Sequence, residues 1–306
     1  MKDIDDIVLL ARFYSSAGDV LSLHRSVADS TKNIFNIMNN ILTNPDLKDD
    51  CERVRLQNSI TQTLLLKSLA ETAKNYISQS VIKIQSFKEA ENKTPTFYFA
   101  AWFSIDCGRF EEALEYLNES ISAFENCPDT AIKFYTYNFK AFSLLRLKRY
   151  AEALEFSDVS VKKCKSYFGN SPSDTMAEAL TYKAEAKLHT EGSKSALPII
   201  EEALNAYSSF YKGENQVLDQ AYANMVKGDC FLLDKKFSDA LNSYVRALNI
   251  VDNIEATKES FFFRRLILRL IYASKKINQQ NISCRYIEIS NSPYAASCHI
   301  ECKSSN

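Results

Sequence analysis

The chain has 306 residues, enough for one or two domains with a large core, and its 37 Lys and Arg residues balance 38 Asp and Glu residues. This balance argues against a nucleic-acid backbone or an anionic membrane as partner. With only 6 Gly and 6 Pro and 46% hydrophobic residues, the composition is typical of a helical, well-packed soluble protein.

The N-terminus lacks the features of a secretory signal. The first six residues include three aspartates, and the apolar run over residues 7–11 is short and has no cleavage site after it. No apolar segment approaches the ~20 residues needed to cross a bilayer. We therefore expect a cytoplasmic protein.

Residues 1–93 predict a helical N-terminal module. Residues 3–14 and 19–42 read as two helices separated by a Ser- and Gly-containing break. From about residue 48 to residue 90 a long apolar stripe indicates either one very long helix or a helical pair that would be an extra repeat. Thr94 and Pro95 then predict the start of the next helix, with Thr94 as N-cap and Pro95 at the first helical position.

A short signature recurs four times over residues 94–256. Each copy has a turn with Gly or Lys, in three copies followed by Arg or Lys and an aromatic residue, and then Ala-Leu. The four alanines fall 40, 43 and 44 residues apart. The copies are Gly108–Leu114, Lys148–Leu154, Gly192–Leu197 and Lys235–Leu241.

Two further sets of small residues keep a fixed offset from these alanines. Apolar residues between them recur every three or four positions, so each flank of the signature is an amphipathic helix, which we call helix A before the turn and helix B after it. Small side chains allow the helix axes to approach to roughly 8–10 Å. Twelve residues before the alanines lie Ala101, Ala141, Ala184 and Gly228, and seven residues after them lie Ser120, Ser160, Ala203 and Ala247.

This pattern resembles the tetratricopeptide repeat (TPR) family, in which a small residue lies in helix A and aromatic-x-x-Ala-Leu opens helix B. The period is longer than the usual ~34 residues, the Trp and Leu-Gly of helix A are mostly replaced, and no copy ends in Pro. Gly-containing loops between copies resemble the kinesin-light-chain type or bacterial peptide-sensing regulators. The resemblance implies an all-α, right-handed superhelical solenoid of antiparallel helix pairs that follows the N-terminal module.

Residues 257–290 predict a degenerate fifth repeat or capping helices. Residues 258–277 are densely apolar, and their polar positions include Arg264, Arg265 and Arg269. A helix A here, with its partner helix in residues 282–289, would close the exposed end of the stack. The alternative is a partner-binding basic amphipathic helix. Residues 291–306 are expected to form a flexible tail.

The sequence offers no catalytic motif. Its three histidines are far apart, and a Gly-rich phosphate loop, a nucleophile elbow and a metal-binding His-Glu pair are absent from it. The carboxylate pairs Glu111-Glu112 and Glu201-Glu202 fall early in helix B, where acidic residues favour the helix dipole. We therefore predict a protein that is not an enzyme, with neither catalytic residues nor a cofactor.

One cysteine cluster leaves a metal-binding alternative open. Cys298, His299 and Cys302 are close together in the sequence, with Cys284 upstream, and thiolates with an imidazole can bind a soft metal. Their spacing matches no established zinc pattern, so we predict no metal ligands.

The resemblance also implies a ligand groove lined by the helix A faces, at positions −6, −3, +1 and +4 from the small residue of helix A. The groove is aromatic in its N-terminal half and acidic in its C-terminal half. The two N-terminal repeats contribute Pro95, Tyr98, Trp102 and Ile105, and Tyr135, Asn138, Phe142 and Leu145. The two C-terminal repeats contribute Glu178, Thr181, Glu185 and Leu188, and Tyr222, Met225, Asp229 and Leu232.

The leading functional hypothesis is a non-catalytic scaffold or adaptor that binds a protein or peptide in this groove. The ligand would have apolar anchors at one end and Lys or Arg toward the other. In the opposing interpretation the aromatic residues belong to the core or are covered by the N-terminal module. Two alternatives are a bacterial peptide-responsive regulator with the N-terminal helices as output module, and a metal-binding protein. We expect neither nucleic acid nor membrane as partner, and self-association stays open.

Overall fold

A computed structural model describes residues 7–14, 28–66, 69–87, 90–124, 131–169, 171, 173–211, 218–252 and 261–278. Every regular element within these ranges is a helix, which confirms the all-α class. The contacts divide the chain into unit 1, Met1–Lys148, and unit 2, Arg149–Asn306. This division falls in the turn of the second predicted repeat, and the predicted boundaries near residues 93, 256 and 290 stay predictions.

Unit 1 is built from successive helix hairpins. The predicted long stripe after residue 48 is a helical pair, α3 and α4, rather than one helix. Helix α3 packs on α4 and on α5, and α5 packs on α6. The helices are α1 (residues 7–14), α2 (Ala28–Leu42), α3 (Asp50–Leu66), α4 (Ala70–Ile84), α5 (Ala90–Asp106), α6 (Phe110–Phe124) and α7 (Ala131–Arg146).

Unit 2 continues the same pattern. Helix α9 pairs with α10 and α11 with α12, which are the third and fourth predicted repeats, and α13 packs on α12. None of the described helices is long and apolar enough to cross a bilayer. The helices are α8 (Tyr150–Phe168), α9 (Asp174–Thr190), α10 (Ser193–Phe210), α11 (Leu218–Leu233), α12 (Phe237–Asp252) and α13 (Phe261–Lys276).

The small residues lie where helices cross. Every alanine and serine of the three predicted sets is buried, and so is Gly228. A Cβ at Gly228 would overlap the ring of Tyr244 on α12. Gly228 therefore marks a close contact between helix A and helix B of the fourth repeat.

Each turn of the signature contains one residue with a positive φ. Gly108, Lys148, Gly192 and Lys235 have φ values of 71°, 61°, 94° and 61°. The ψ of Gly192 is −178°, so its backbone is not that of a left-handed helical turn. The amide of Arg109 donates to the carbonyl of Ser104 at 2.8 Å and the amide of Gly108 to that of Ile105 at 2.9 Å. These bonds satisfy carbonyls that the end of a helix leaves without a donor.

The predicted start of the first helix A is wrong. Helix α5 begins at Ala90, and Pro95 lies inside it instead of at its first position. A proline in the second turn removes only one backbone donor. The buried hydroxyl of Ser120 on α6 donates to the carbonyl of Thr94 at 3.1 Å, and this hydrogen bond links α6 to α5.

Candidate functional site

Four aromatic side chains on α5 and α7 come together in unit 1, and we call Tyr98, Trp102, Tyr135 and Phe139 the aromatic cluster. The rings of Tyr98 and Phe139 stack, with 5.2 Å between centroids and 12° between planes. Trp102 meets Phe139 edge-on at 5.8 Å, and the Tyr135 ring lies 6.5 Å from that of Tyr98. Aromatic pairs at such separations stabilise a protein by more than the burial of their surface area alone would provide.

The aromatic cluster lies against the core that the N-terminal helices build. Tyr98 is a buried member of that core, with Met38 of α2, Ile60 of α3 and Ile77 of α4. The other three rings pack against it but are only half-buried. A ligand on these three rings would therefore contact side chains that the N-terminal helices also hold in place.

Other predicted groove residues of unit 1 have different surroundings. Phe142 contacts the start of α6, with its ring 6.2 Å from that of Phe110. The guanidinium of Arg146 lies 5.0 Å from the Phe142 ring centroid. Asn138 is fully buried, so its side chain contributes to packing, whereas Ile105 is half-buried at the end of α5.

The predicted acidic residues of unit 2 have partners inside the chain. Oε1 of Glu178 accepts a hydrogen bond from the hydroxyl of Tyr182 at 2.7 Å. Glu185 accepts one from the hydroxyl of Tyr222 and another, at 3.5 Å, from Nη2 of Arg265 on α13. Both carboxylates are buried, which is favourable only with donors within reach.

Helix α13 binds Asp229 in the same way. Its Oδ1 accepts from the hydroxyl of Tyr244 at 2.7 Å and from Nε of Arg269 at 2.5 Å. Arg265 and Arg269 are one turn apart, so α13 brings positive charge to two helix A positions of unit 2. We call Glu185, Asp229, Arg265 and Arg269 the charge ladder. The sequence predicted an acidic ligand-binding surface here. In the structure, Arg265 and Arg269 of unit 2 form ion pairs with Glu185 and Asp229.

Burial keeps the donors of this region protonated. It raises the pKa of Tyr182 well above its ordinary value, and the Glu178 carboxylate adds to the shift. It also raises the pKa of Tyr244, which faces Asp229. Burial opposes the charge of Arg269, but the Asp229 carboxylate outweighs this effect and the pKa of Arg269 is raised. These groups therefore donate hydrogen bonds throughout the ordinary pH range.

The apolar groove positions of unit 2 serve packing. Met225 is fully buried. The buried ring of Tyr222 lies 6.0 Å from that of Tyr182 and 5.8 Å from that of Phe262 on α13. The hydroxyl of Thr181 donates back to the carbonyl of Ala177 at 2.8 Å.

The groove positions predicted from the sequence did not include three residues of these sites. Phe139 lies outside the four groove positions, although it follows Tyr135 by four residues and so shares its helix face. Arg265 and Arg269 are also four apart, in a helix without any acidic residue. Their spacing was visible in the sequence, but their partners were not.

Neither a cavity nor a metal site coincides with the aromatic cluster among the described residues. A cavity of about 300 Å³ lies among α4, α5 and α6, lined by Phe97 and Glu119 among others, and includes no residue of the aromatic cluster. Among the described residues, no group of three or more His, Cys, Asp or Glu side chains could hold a metal ion. Cys284, Cys298, His299 and Cys302 are outside the described residues, so the metal-binding alternative stays a prediction.

No protein-family model matches the sequence, and no curated protein matches it. A crystal structure of a Rap protein complexed with competence and sporulation factor matches with a TM-score of 0.72, at 12% identity, over 95% of this chain and 77% of that chain. The quorum sensor NprR in complex with its cognate peptide NprX matches with a TM-score of 0.66, at 12% identity, over 91% of this chain and 77% of that chain.

The TPR-like repeats of a putative kinesin light chain from Podosopora anserina match with a TM-score of 0.52, at 12% identity, over 68% of this chain and 99% of that chain. At this level of identity the matches establish the fold alone. The chain has the TPR-like fold of packed helix pairs, as the repeat signature predicted.

Proposed function

We propose that the chain is a non-catalytic binding module that holds a peptide, or an extended or helical segment of another protein, on the helix A faces of its repeats. The observation that carries this proposal is the aromatic cluster, in which Trp102, Tyr135 and Phe139 are half-buried against the hydrophobic core of unit 1. Aromatic side chains in such positions most often carry the binding energy of an interface. The complexes of Rap with competence and sporulation factor and of NprR with NprX support it.

The ligand is expected to place apolar side chains on the aromatic cluster. In unit 2, the carboxylates of Glu185 and Asp229 already bind Arg265 and Arg269. We therefore assign the anchor of the ligand to the aromatic cluster of unit 1 alone.

The test is a partner capture from lysate of the native cell, with ligands identified and quantified by mass spectrometry. Wild type is compared with a Trp102→Ala, Tyr135→Ala variant, because these rings are half-buried and their removal leaves the buried Tyr98 in the core. The matched control is Tyr116→Ala, a half-buried aromatic side chain on α6. The proposal expects a ligand that wild type and control retain and the folded double variant loses. A ligand that all three retain would contradict this site.

The shared core favours one further candidate, a peptide-responsive regulator whose N-terminal helices are the output module. Tyr98, Phe99 and Phe103 of α5 belong to the same core as α2, α3 and α4. A ligand that binds the aromatic cluster would therefore change the stability of those helices. Hydrogen exchange of residues 28–66 with and without the captured ligand tests this. Altered protection of these residues would support a regulator. Protection changes confined to α5 and α7 would contradict the regulator and favour a scaffold.

A further inference from the structure

A carboxylate lies directly beside the aromatic cluster. Asp106 is the last residue of α5 and follows Trp102 by four residues, so the two side chains share one helix face. The side chain of Trp102 hydrogen-bonds to the carboxyl of Asp106, and the indole N–H is its only donor. Asp106 is exposed. The half-buried surface of the cluster therefore ends in a negative charge that solvent can reach.

Among the described residues, no Lys, Arg or His side chain forms an ion pair with Asp106. The nearest arginine in the sequence, Arg109, is engaged elsewhere. Its Nη1 lies 2.9 Å from Oε2 of Glu112, and its guanidinium lies 5.0 Å from the ring centroid of Phe103. In the charge ladder of unit 2, by contrast, each carboxylate has an arginine. The carboxylate beside the aromatic cluster thus differs from the acidic residues of unit 2.

The surroundings of Asp106 disfavour its negative charge. Although the side chain is exposed, desolvation by the protein around it raises its pKa, and the hydrogen bond from Trp102 opposes this shift only in part. The carboxyl also lies at the C-terminus of α5, where the helix dipole is itself negative. A cation bound to this carboxylate would favour its charged form, and such binding would relieve a cost that the protein alone bears.

We propose that the ligand of the aromatic cluster carries a basic side chain whose cation binds Asp106 while its aliphatic stem lies on Trp102. This inference rests on the proposed function and specifies the chemistry of its ligand. Lys and Arg side chains cover apolar surface with their stems while the charged head stays in water, and a cation close to an aromatic ring is attracted to it. The charge of the ligand therefore lies in unit 1, next to its apolar anchor.

The test begins with a library of decapeptides of random sequence that lack Trp. Trp102 is the single tryptophan of the chain, so its fluorescence reports binding at this site. The full-length chain should select peptides in which Lys or Arg is next to apolar residues. A second peptide is then made from the strongest one, with norleucine in place of the basic residue. This change keeps an aliphatic stem and removes the charge.

Affinities of the two peptides for wild type and for Asp106→Asn complete the test. The asparagine removes the charge but keeps an oxygen that can accept from Trp102. Asp106→Asn should bind the basic peptide about tenfold more weakly than wild type does, and the norleucine peptide with unchanged affinity. The matched control is Glu115→Gln, at an exposed carboxylate on α6, which should bind both peptides as wild type does.

Two results would overturn this inference and leave the proposed function intact. One is selection, by wild type, of peptides without a basic residue beside their apolar ones. The other is a preference for the basic peptide that Asp106→Asn retains while its circular dichroism shows a folded protein. If that variant unfolds, equal affinity of wild type for the two peptides has the same meaning.

The proposed function fails in a different way. Calorimetry in which Trp102→Ala binds the selected peptides as wild type does would contradict the aromatic cluster as the site. A wild-type chain that selects no peptide at all would contradict both the proposed function and the basic ligand.

Discussion

At the scale of single residues, Gly228 sets the distance between α11 and α12. A Cβ at this position would overlap the ring of Tyr244, which is fully buried and whose hydroxyl binds Asp229 at 2.7 Å. Because the ring is buried and its hydroxyl is hydrogen-bonded, it cannot move away from an added methyl group. The two helices must then separate. We expect Gly228→Ala to lower the free energy of unfolding by about 1–3 kcal/mol, as measured by urea denaturation.

The double variant Gly228→Ala, Tyr244→Leu is the control for this mechanism. If the overlap is the cause, the smaller leucine should make room for the new methyl group. The two changes should then destabilise the protein by less than the sum of their separate effects. Strictly additive effects would contradict an overlap with Tyr244.

The described cysteines should differ in reactivity. Cys107 is exposed, whereas Cys164 and Cys230 are buried. Burial raises the pKa of the Cys164 thiol to about 11 and that of the Cys230 thiol to about 12. Since the thiolate is the reactive form, iodoacetamide at pH 8 should label Cys107 long before the other two, as followed by mass spectrometry of the peptides. Equal labelling rates in the native protein would contradict the burial of the two thiols.

At the scale of elements, the positive φ in the turn of a repeat can be tested on its own. Gly108 has a φ of 71°, and a Cβ there would meet no atom within 4 Å. Any effect of Gly108→Ala is therefore conformational, and we expect a loss of about 1 kcal/mol in the free energy of unfolding. Lys148 has the equivalent φ of 61° and already carries a side chain, so Lys148→Ala should change stability much less. Similar losses for both variants would argue against backbone strain as the cause.

The arginines of helix α13 should contribute unequally to the stability of the protein. Arg269 binds Asp229 at 2.5 Å, and the side chains of the pair are only 25% and 15% exposed. Removing the charge leaves a mostly buried carboxylate with fewer donors, and we expect Arg269→Met to lower the free energy of unfolding by about 1–3 kcal/mol. The exposed Arg264 is the control, and thermal unfolding should place Arg264→Met close to wild type. Two variants with the same stability would show that the charge ladder does not hold α13.

The repeats could be predicted from the sequence because small residues and turns with a positive φ impose a fixed spacing on it. Ala101, Ala113 and Ser120 belong to the sets that repeat in register, and each of them is fully buried. The start of α5 could not be predicted in the same way. Thr94 and Pro95 have the local chemistry of a helix start, but α5 begins at Ala90. Within this helix the Thr94 carbonyl accepts from Ser120 of α6, a tertiary contact that the local sequence does not reveal.

At the scale of the whole molecule, the candidate site was predicted only in part. The family register selected Tyr98, Trp102 and Tyr135, which do come together, because their spacing within each helix is local information. The register could not find the partners of the acidic residues. Arg265 is 80 residues from Glu185, and Arg269 is 40 residues from Asp229. Such pairings depend on the packing of α13, which the composition of the helix does not specify.

Ligand binding should depend on the aromatic cluster, and Trp102 is the largest of its half-buried side chains. The deciding measurement is calorimetric titration of the captured ligand into wild type, Trp102→Ala and the control Tyr116→Ala. A hot spot contributes about 2 kcal/mol or more, so Trp102→Ala should weaken binding by about 30-fold, whereas the control should bind nearly as wild type does. A Trp102→Ala protein that keeps its fold and binds the ligand with wild-type affinity would contradict the account.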